Sequence, residues 1–250
     1  MLVGEERNIE SRTTSFFCVD RSGTLWKGKN FGEQWWTGIE AVHGGVLYLY
    51  GFATPDLPGR KGITAVDCST GKVLWKSRDL TFIGGAGDRI YSSRETPGGP
   101  VVCEIDHRTG ALISDVGQGE SAIGQVSRAS NDADDVEFPQ VLSDDDVTPL
   151  AGAVRKFSAP AVTGCPVEYS AHGPYLVIVY HREKEGAGAV PAPYAQVIDV
   201  VERDSGTPVM HATLNPAVST PALGSFLVQA DMLYFVRDRK TLTAVRLREK

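Results

Sequence analysis

Two glutamates and two histidines recur at matching places in the sequence and could support acid–base chemistry. Glu40 lies three residues before His43, Glu168 lies four residues before His172, and Tyr169 follows the second glutamate. Paired carboxylates can bind a cation or transfer protons, whereas a hydrated lining of polar side chains performs no chemistry. These five residues are our candidate ligand-binding positions. Both interpretations stay open, and no residue is predicted to be catalytic.

Familiar catalytic and nucleotide-binding signatures are missing from the sequence. It contains no G-x-S-x-G elbow, no phosphate loop with Gly-Lys-Ser/Thr and no H-E-x-x-H helix. The four cysteines are far apart and have no histidine at ligand spacing, which predicts reduced thiols packed in or near strands; they are Cys18, Cys68, Cys103 and Cys165. We therefore predict neither a metal nor a cofactor.

Two acidic runs could in principle attract calcium, a cation that prefers carboxylate oxygens. Neither run has the D-x-D-x-D-G spacing of a calcium loop with its distal glutamate, so solvated loops are predicted instead. The residues are Asp132, Asp134, Asp135, Asp144, Asp145 and Asp146.

Composition limits the classes of partner. The chain has 250 residues, 42% of them hydrophobic, which is enough to bury a core without disulfides or metals. Its net charge of −6 opposes binding to nucleic acid or to an anionic membrane. No apolar run approaches the roughly 20 residues of a membrane span, and no signal peptide is visible, so we expect a cytoplasmic protein that does not insert into membranes.

A hairpin pattern repeats along the chain. Residues 62–76 alternate apolar residues, turn at Asp67 and Gly71, and end in a strand with Trp75. The aspartate can accept hydrogen bonds from the amides that follow it, and the glycine can adopt positive φ. The same separation recurs between Asp106 and Gly110 and, with glutamate in place of aspartate, before Gly206; a shorter copy ends at Trp26.

A second hairpin, in residues 40–50, 82–93 and 169–180, precedes each of the three full-length copies, and it recurs in residues 227–237. Each has an apolar strand, a turn of small residues, and a strand rich in aromatic and branched residues. Two hairpins give four strands, and copies recur at about 40–48 residues, the pitch of one β-propeller blade. The chain is therefore predicted to be all-β. Glu40 and Glu168 would lie on innermost strands, which line the central channel of a propeller.

The predicted propeller has about five blades in one domain, residues 1–250. The segments 36–78, 80–117 and 165–214 form three of them, and an N-terminal strand completes a fourth at the C-terminus, closing the ring. Residues 118–164 hold only poor strand candidates, at 122–128, 136–142 and 153–159, and are predicted to be a degenerate blade or an insertion. Four blades with an insertion, or six blades, are the alternatives.

The segment around Asp67 resembles the repeat of pyrroloquinoline-quinone-type propellers, A-x-D-x-x-T-G-x-x-x-W. Every position is filled, by Ala65, Asp67, Thr70, Gly71 and Trp75. The resemblance implies that the tryptophan docks between neighbouring blades. Quinone-dependent dehydrogenases of this class carry adjacent cysteines, and no two cysteines are adjacent here, so the resemblance implies architecture without the cofactor. The whole chain also looks like an uncharacterised bacterial domain family of unknown function.

Together these features predict a non-enzymatic propeller that acts as a binding or scaffold module for a protein or small-molecule partner. The alternative is an enzyme, a hydrolase or lyase, with a carboxylate-lined site at the central channel.

Overall fold

The computed structural model describes residues 1–32, 35–54, 57–118, 123–124, 136–184 and 194–247. The strands in these residues form five antiparallel sheets, and one helix of nine residues, α1, accompanies them. The chain divides into two compact units, residues 1–133 and 134–250. Each unit is described by itself below.

The first unit holds three sheets, each built from strands that are consecutive in the chain. The first sheet contains β1 Leu2–Asn8, β2 Thr13–Asp20 and β3 Gly23–Lys29. The second contains β4 Gly38–His43, β5 Val46–Thr54, β6 Leu57–Asp67 and β7 Val73–Ser77. The third contains β8 Leu80–Ala86, β9 Arg89–Thr96, β10 Gly99–Asp106 and β11 Leu112–Gln118.

The second unit holds two sheets and the helix. One sheet contains β13 Gln140–Val141, β14 Glu168–His172, β15 Tyr175–Glu183, β16 Tyr194–Glu202 and β17 Pro208–Val218. The other contains β12 Val136–Glu137, β18 Phe226–Gln229, β19 Met232–Arg237 and β20 Thr241–Arg246. The helix α1, Pro149–Phe157, precedes β14 in the chain.

Apolar faces hold neighbouring sheets together within each unit. In the first unit, Phe16 and Leu47 belong to a core shared by the first two sheets, and Tyr48 and Ile90 to a core shared by the second and third. In the second unit, Val177 of β15 packs in one core with residues of β18 and β19. The opposite face of its sheet packs against α1. Alternating strand residues therefore supply both faces of these sheets.

The prediction of an all-β chain built from four-stranded antiparallel sheets is confirmed. The predicted units at 36–78 and 80–117 correspond to β4–β7 and β8–β11. The unit at 165–214 corresponds to β14–β17, and the short strand β13 extends this sheet to five strands. The number of blades and closure of a ring are not confirmed by these sheets.

The C-terminal sheet takes its fourth strand from β12, where Val136 pairs with Gln229 and Glu137 with Val228. The strand order of this sheet includes no N-terminal strand among the described residues, and β1 pairs with β2. Completion of the last blade by an N-terminal strand is therefore not confirmed. The strand β12 pairs with only two of the four residues of β18, Val228 and Gln229.

The described residues of 118–164 contribute β12 and β13 to two sheets that other segments build. The strand prediction at 153–159 was wrong, because residues 153–157 are the second half of α1. Thr148 caps this helix by accepting a hydrogen bond from Ala151 N at 3.2 Å, and Pro149 occupies its first turn. Arg155 and Lys156 lie in the last turn, where the helix dipole stabilises positive charge.

No helix in the described part of the chain is long and apolar enough to cross a membrane.

Candidate functional site

The repeated hairpin turn is organised around the carboxylate of Asp67 in the first unit. Its Oδ1 atom accepts hydrogen bonds from the amides of Ser69 at 3.0 Å and Thr70 at 2.9 Å. The hydroxyl hydrogen bonds of Ser69 and Thr70 hold the pKa of Asp67 below its usual value. Gly71 closes the turn at φ 62° and donates its amide to the Asp67 carbonyl at 2.7 Å. The turn therefore depends on an ionised aspartate and a left-handed glycine.

The next copy of the turn has the same geometry. Asp106 Oδ1 accepts from the Thr109 amide and hydroxyl, both at 2.7 Å, and these bonds lower the pKa of Asp106. Gly110 has φ 71° and donates to the Asp106 carbonyl at 3.0 Å. In the second unit Glu202 replaces the aspartate, and Gly206 donates to its carbonyl at 2.8 Å. All three turns use the same glycine conformation.

Tryptophans join successive sheets of the first unit at these turns. Trp26 of β3 donates its indole N–H to the Cys68 carbonyl at 2.7 Å, and Trp75 of β7 donates to the His107 carbonyl at 3.1 Å. A Cβ added to Gly71 would lie 2.9 Å from Trp26, and one added to Gly110 would lie 2.7 Å from Trp75. Each glycine is therefore required both for its φ and for the ring above it.

The second unit covers its turn with a helix residue in place of a tryptophan. A Cβ added to Gly206, which has φ 70°, would lie 2.9 Å from the ring of Phe157 at the end of α1. Phe157 thus occupies the place over this turn that Trp26 and Trp75 occupy over theirs. The sequence pattern offered no sign of this replacement, because Phe157 lies 49 residues before Gly206 and outside any recognisable copy of the repeat.

The first two predicted ligand-binding residues lie in the first unit and make protein contacts there. Glu40 of β4 forms an ion pair with Arg60 at 3.1 Å, and the Arg60 guanidinium lies over the ring of Tyr50. His43 Nε2 donates to the Gly87 carbonyl at 2.9 Å. These contacts link β4 to β6 and to the turn between β8 and β9.

The other three predicted residues lie in the second unit. Glu168 is 2% exposed, and its carboxylate accepts the Gly224 amide at 2.6 Å. The Tyr169 hydroxyl donates to Gln140 Oε1 at 3.2 Å, and His172 Nδ1 donates to Glu137 Oε1 at 3.1 Å. Tyr169 and Glu168 point to opposite faces of β14 because they are adjacent in a strand. Glu168 and His172 lie on the same face of β14, but they bond to different groups, the Gly224 amide and the Glu137 carboxylate.

The acidic runs differ in what can be described. Asp132, Asp134 and Asp135 lie outside the described residues. Asp146 accepts the Thr148 amide at 2.9 Å, which lowers the pKa of Asp146, and the carbonyls of Ser143, Asp144 and Asp146 accept from Arg155. The described residues contain no group of three or more potential metal ligands. The Asp144–Asp146 run therefore serves to start α1.

The described cysteines are free thiols, and three of them, Cys18, Cys68 and Cys103, are buried. Burial raises the pKa of each, to about 12 for Cys68. These thiols are therefore protonated and inert at neutral pH. These three cysteines pack in the hydrophobic cores of the first unit.

A chain of hydrogen-bonded polar side chains, in which Gln196 and Glu168 are buried, runs across the second unit. Asn215 donates to Gln196 Oε1 at 2.9 Å, and Gln196 Nε2 donates to Ser225 Oγ at 2.6 Å. The Ser225 amide lies 3.4 Å from the carboxylate of Glu168. Backbone amides therefore hold this carboxylate, which ties the segment before β18 to β14.

His181 belongs to the same face of the sheet, since it pairs with Gln196. It is 1% exposed, and neither ring nitrogen has a partner with hydrogen-bond geometry. Burial lowers the pKa of His181, while the Pro166 carbonyl and the Glu168 carboxylate oppose that effect. His181 is therefore held as a neutral imidazole.

On the opposite face of this sheet, three residues form a hydrogen-bonded relay that the sequence analysis missed. His211 Nδ1 donates to Asp199 Oδ1 at 2.6 Å, and Tyr180 donates its hydroxyl to Asp199 Oδ2 at 2.9 Å. Burial and this hydrogen bond raise the pKa of Tyr180 to about 12, so the phenol stays protonated. The His211 side chain is 52% exposed. Because Nδ1 is engaged with Asp199, Nε2 is the ring nitrogen that remains for contact with another molecule.

A signal for this relay was present in the hairpin register. Asp199 precedes the turn residue Glu202 by three positions, and His211 follows Gly206 by five. The strand pairing places the two residues directly opposite each other. Predicting the contact required the bulge between Val200 and Val201, which changes the register by one residue.

Comparisons with known proteins give a family match to part of the chain. A family model described as "Domain of unknown function (DUF4905)" matches residues 1–75. This agrees with the resemblance to an uncharacterised domain family, over the first 75 residues only. None of the curated proteins matches the sequence.

Several solved structures are similar over nearly the whole chain. A europium-containing methanol dehydrogenase is 13% identical with a TM-score of 0.31, and the match covers 98% of this chain and 49% of that one. TolB from Acinetobacter baumannii is 13% identical with a TM-score of 0.29, covering 98% and 61%. BamB from Moraxella catarrhalis is 10% identical with a TM-score of 0.28, covering 98% and 89%. The chain thus spans about half the length of the dehydrogenase, and similarities this low carry no argument about function.

Proposed function

We propose that the sheets are the blades of one propeller with about five blades. The support is the recurrence of one docking contact between successive sheets, Trp26 over Gly71 and Trp75 over Gly110, together with its counterpart at Gly206. A ring in which every sheet packs on the next should unfold as one cooperative body. Calorimetry is expected to give a single transition with equal calorimetric and van't Hoff enthalpies. Two resolved transitions would argue against the ring.

We further propose that the protein is a binding or scaffold module for a protein or small-molecule partner. One observation carries the proposal: the predicted carboxylates and imidazoles are engaged in contacts that hold loops and strands. Glu40 pairs with Arg60, Glu168 accepts backbone amides, and His172 donates to Glu137. A general acid or base must be able to exchange its proton with a substrate, and these groups already have protein partners.

The test compares turnover with partner binding. The purified chain is assayed against a panel of hydrolase and lyase substrates, and tagged chain is isolated from its source cells for mass spectrometry. The proposal predicts no turnover above background and a stoichiometric partner that is retained by Glu40→Gln. Turnover that is lost in Glu40→Gln or in Glu168→Gln folded to the same extent as the parent would overturn it.

A second candidate function is an enzyme whose proton-transferring group is His211. The relay of Tyr180, Asp199 and His211 favours it, because a carboxylate that accepts from Nδ1 orients an imidazole as a general base at Nε2. This candidate predicts turnover that His211→Asn abolishes and Tyr180→Phe reduces. The Glu40→Gln variant keeps full turnover in this case, which separates it from a channel-based enzyme.

A further inference from the structure

A pocket of about 770 Å³ opens on the second unit, at the end of the sheet that carries the relay. Three stretches line it: the loop that follows α1, the end of β15, and the neighbouring parts of β16 and β17. The loop is tied to the sheet by the Val162 amide, which donates to the His181 carbonyl at 2.8 Å. The walls of the pocket are therefore connected directly to one another.

Two cations line the pocket, Arg182 and Lys184, with Glu183 between them in the chain. Among the described residues, neither cation takes part in an ion pair or a side-chain hydrogen bond. Two other arginines of this unit are held by protein groups: Arg246 pairs with Asp231 at 3.1 Å, and Arg155 donates to three carbonyls. Both cations are exposed to solvent, so their donors can turn to an anion in the pocket, and together they outnumber the one carboxylate of the lining, Glu183.

The remaining lining suits a small ligand with one charged end. Thr163 and Thr213 contribute hydroxyl groups, which can donate to an oxygen. Val162 and Ala195 contribute apolar surface. A guanidinium matches the geometry of carboxylate and phosphate, and an ammonium group adds a compact charge that can move toward either.

We propose that this pocket binds a small organic molecule through its oxyanion, a carboxylate or a phosphate, which Arg182 and Lys184 hold. The inference deepens the proposed binding function by naming the chemistry of a ligand, and it rests on that function. It also fits the second candidate function. His211 and Thr213 lie on the same face of β17, two residues apart, so about 7 Å of strand separates the imidazole from the pocket lining.

The test titrates inorganic phosphate and, separately, malonate into the purified chain, with sodium chloride at the same ionic strength as the blank. Isothermal calorimetry or the shift in melting temperature measures binding. If only phosphate binds saturably, the ligand carries a phosphate; if only malonate does, the ligand carries a carboxylate. Saturable binding of both anions shows a general oxyanion site. Binding of neither beyond the chloride blank overturns the proposal.

Variants separate this pocket from other cationic surface. Arg182→Gln and Lys184→Gln are each expected to weaken binding about tenfold, the loss of one charge-assisted hydrogen bond. Arg203→Gln is the matched control, because Arg203 is an exposed arginine of the same unit, 3.9 Å from Asp204 and outside the pocket lining. Unchanged affinity in both pocket variants overturns the proposal, as does an equal loss in the control. If neither anion binds but a stoichiometric protein partner is still isolated with the chain, the binding module stands and this pocket alone is refuted.

Discussion

In the first unit, each of two successive hairpin turns lies beneath a tryptophan from the preceding sheet: Trp26 covers Gly71, and Trp75 covers Gly110. In the second unit, the equivalent turn at Gly206 lies beneath Phe157, the last residue of a helix. The first unit repeats a local sequence pattern and uses its polar groups to shape turns. The second departs from that pattern, and it holds the chain of polar side chains at Gln196, the histidine relay and the cationic pocket.

The difference teaches where to look for function in this protein. In the first unit, the Oδ1 atoms of Asp67 and Asp106 accept from the amides and hydroxyls of their own turns, and Asp67 Oδ2 pairs with Arg108 of the next turn. The polar groups of the second unit include an imidazole with a free edge and two cations without partners among the described residues. We therefore propose that the regular part of the sequence mainly stabilises the fold and that a ligand binds in the irregular part.

The largest expected effect comes from removing a covering tryptophan. Trp26 is 7% exposed, so Trp26→Ala should cost about 3–5 kcal/mol in the free energy of unfolding. Trp26→Phe keeps a ring but loses the donor to the Cys68 carbonyl, and should cost clearly less than the alanine variant. Urea unfolding measures both. Equal, small losses in the two variants would show that the docking contact does not stabilise the first unit.

The next largest effect is a difference in stability loss between alanine substitutions at two glycines, Gly71 and Gly87, that share one backbone conformation. Gly71 has φ 62° and Gly87 has φ 60°, but a Cβ would approach Trp26 only at Gly71, since nothing lies within 4 Å at Gly87. Both alanine variants should lose about 1–2 kcal/mol to left-handed strain. Gly71→Ala should lose about 1–3 kcal/mol more through overpacking. Equal losses in thermal unfolding would mean that the tryptophan moves aside at little cost.

A smaller effect tests the buried carboxylate of the second unit. In Glu168→Gln the amide oxygen can accept from only one of the two backbone amides, and the NH₂ group faces the other, so we expect a loss of about 1.5–3 kcal/mol. Glu40→Gln removes half of a partly exposed ion pair and should cost less than about 1 kcal/mol. Parallel urea titrations give the two values. If Glu40→Gln proves the more damaging of the two, the assignment of Glu168 as a structural anchor is wrong.

The smallest effect is a pH dependence that His181 contributes. Its pKa in the folded protein is lowered from 6.5, so the unfolded chain binds the proton more readily. The stability that the neutral imidazole provides is present above pH 6.5 and is lost as the pH falls below that value. His181→Gln should flatten this part of the stability profile. An unchanged slope between pH 7 and pH 5 would place the acid sensitivity in another group.

The sequence could predict contacts between residues that are close together in the chain, but not contacts between distant residues. The turns at Asp67–Gly71 and Asp106–Gly110 were predictable because the carboxylate, hydroxyls and glycine lie within five residues. Helix α1 was missed because Val154 and Phe157 were taken for strand residues, although Thr148 and Pro149 form a recognisable helix start. The contact between Phe157 and Gly206 was beyond prediction, since it depends on how the helix packs on the sheet. The contact between Asp199 and His211 was not predicted, because one β-bulge changes the register of their two strands by one residue.

The most direct test of this comparison follows backbone amides by NMR during a titration with inorganic phosphate. We predict that the largest chemical-shift changes occur in the second unit, at the amides of Val162, Arg182 and Thr213. The amide resonances of Ser69 and Thr109, in the turns of the first unit, should not shift. Changes that are largest in the turns of the first unit, or no changes beyond those caused by chloride, would contradict it.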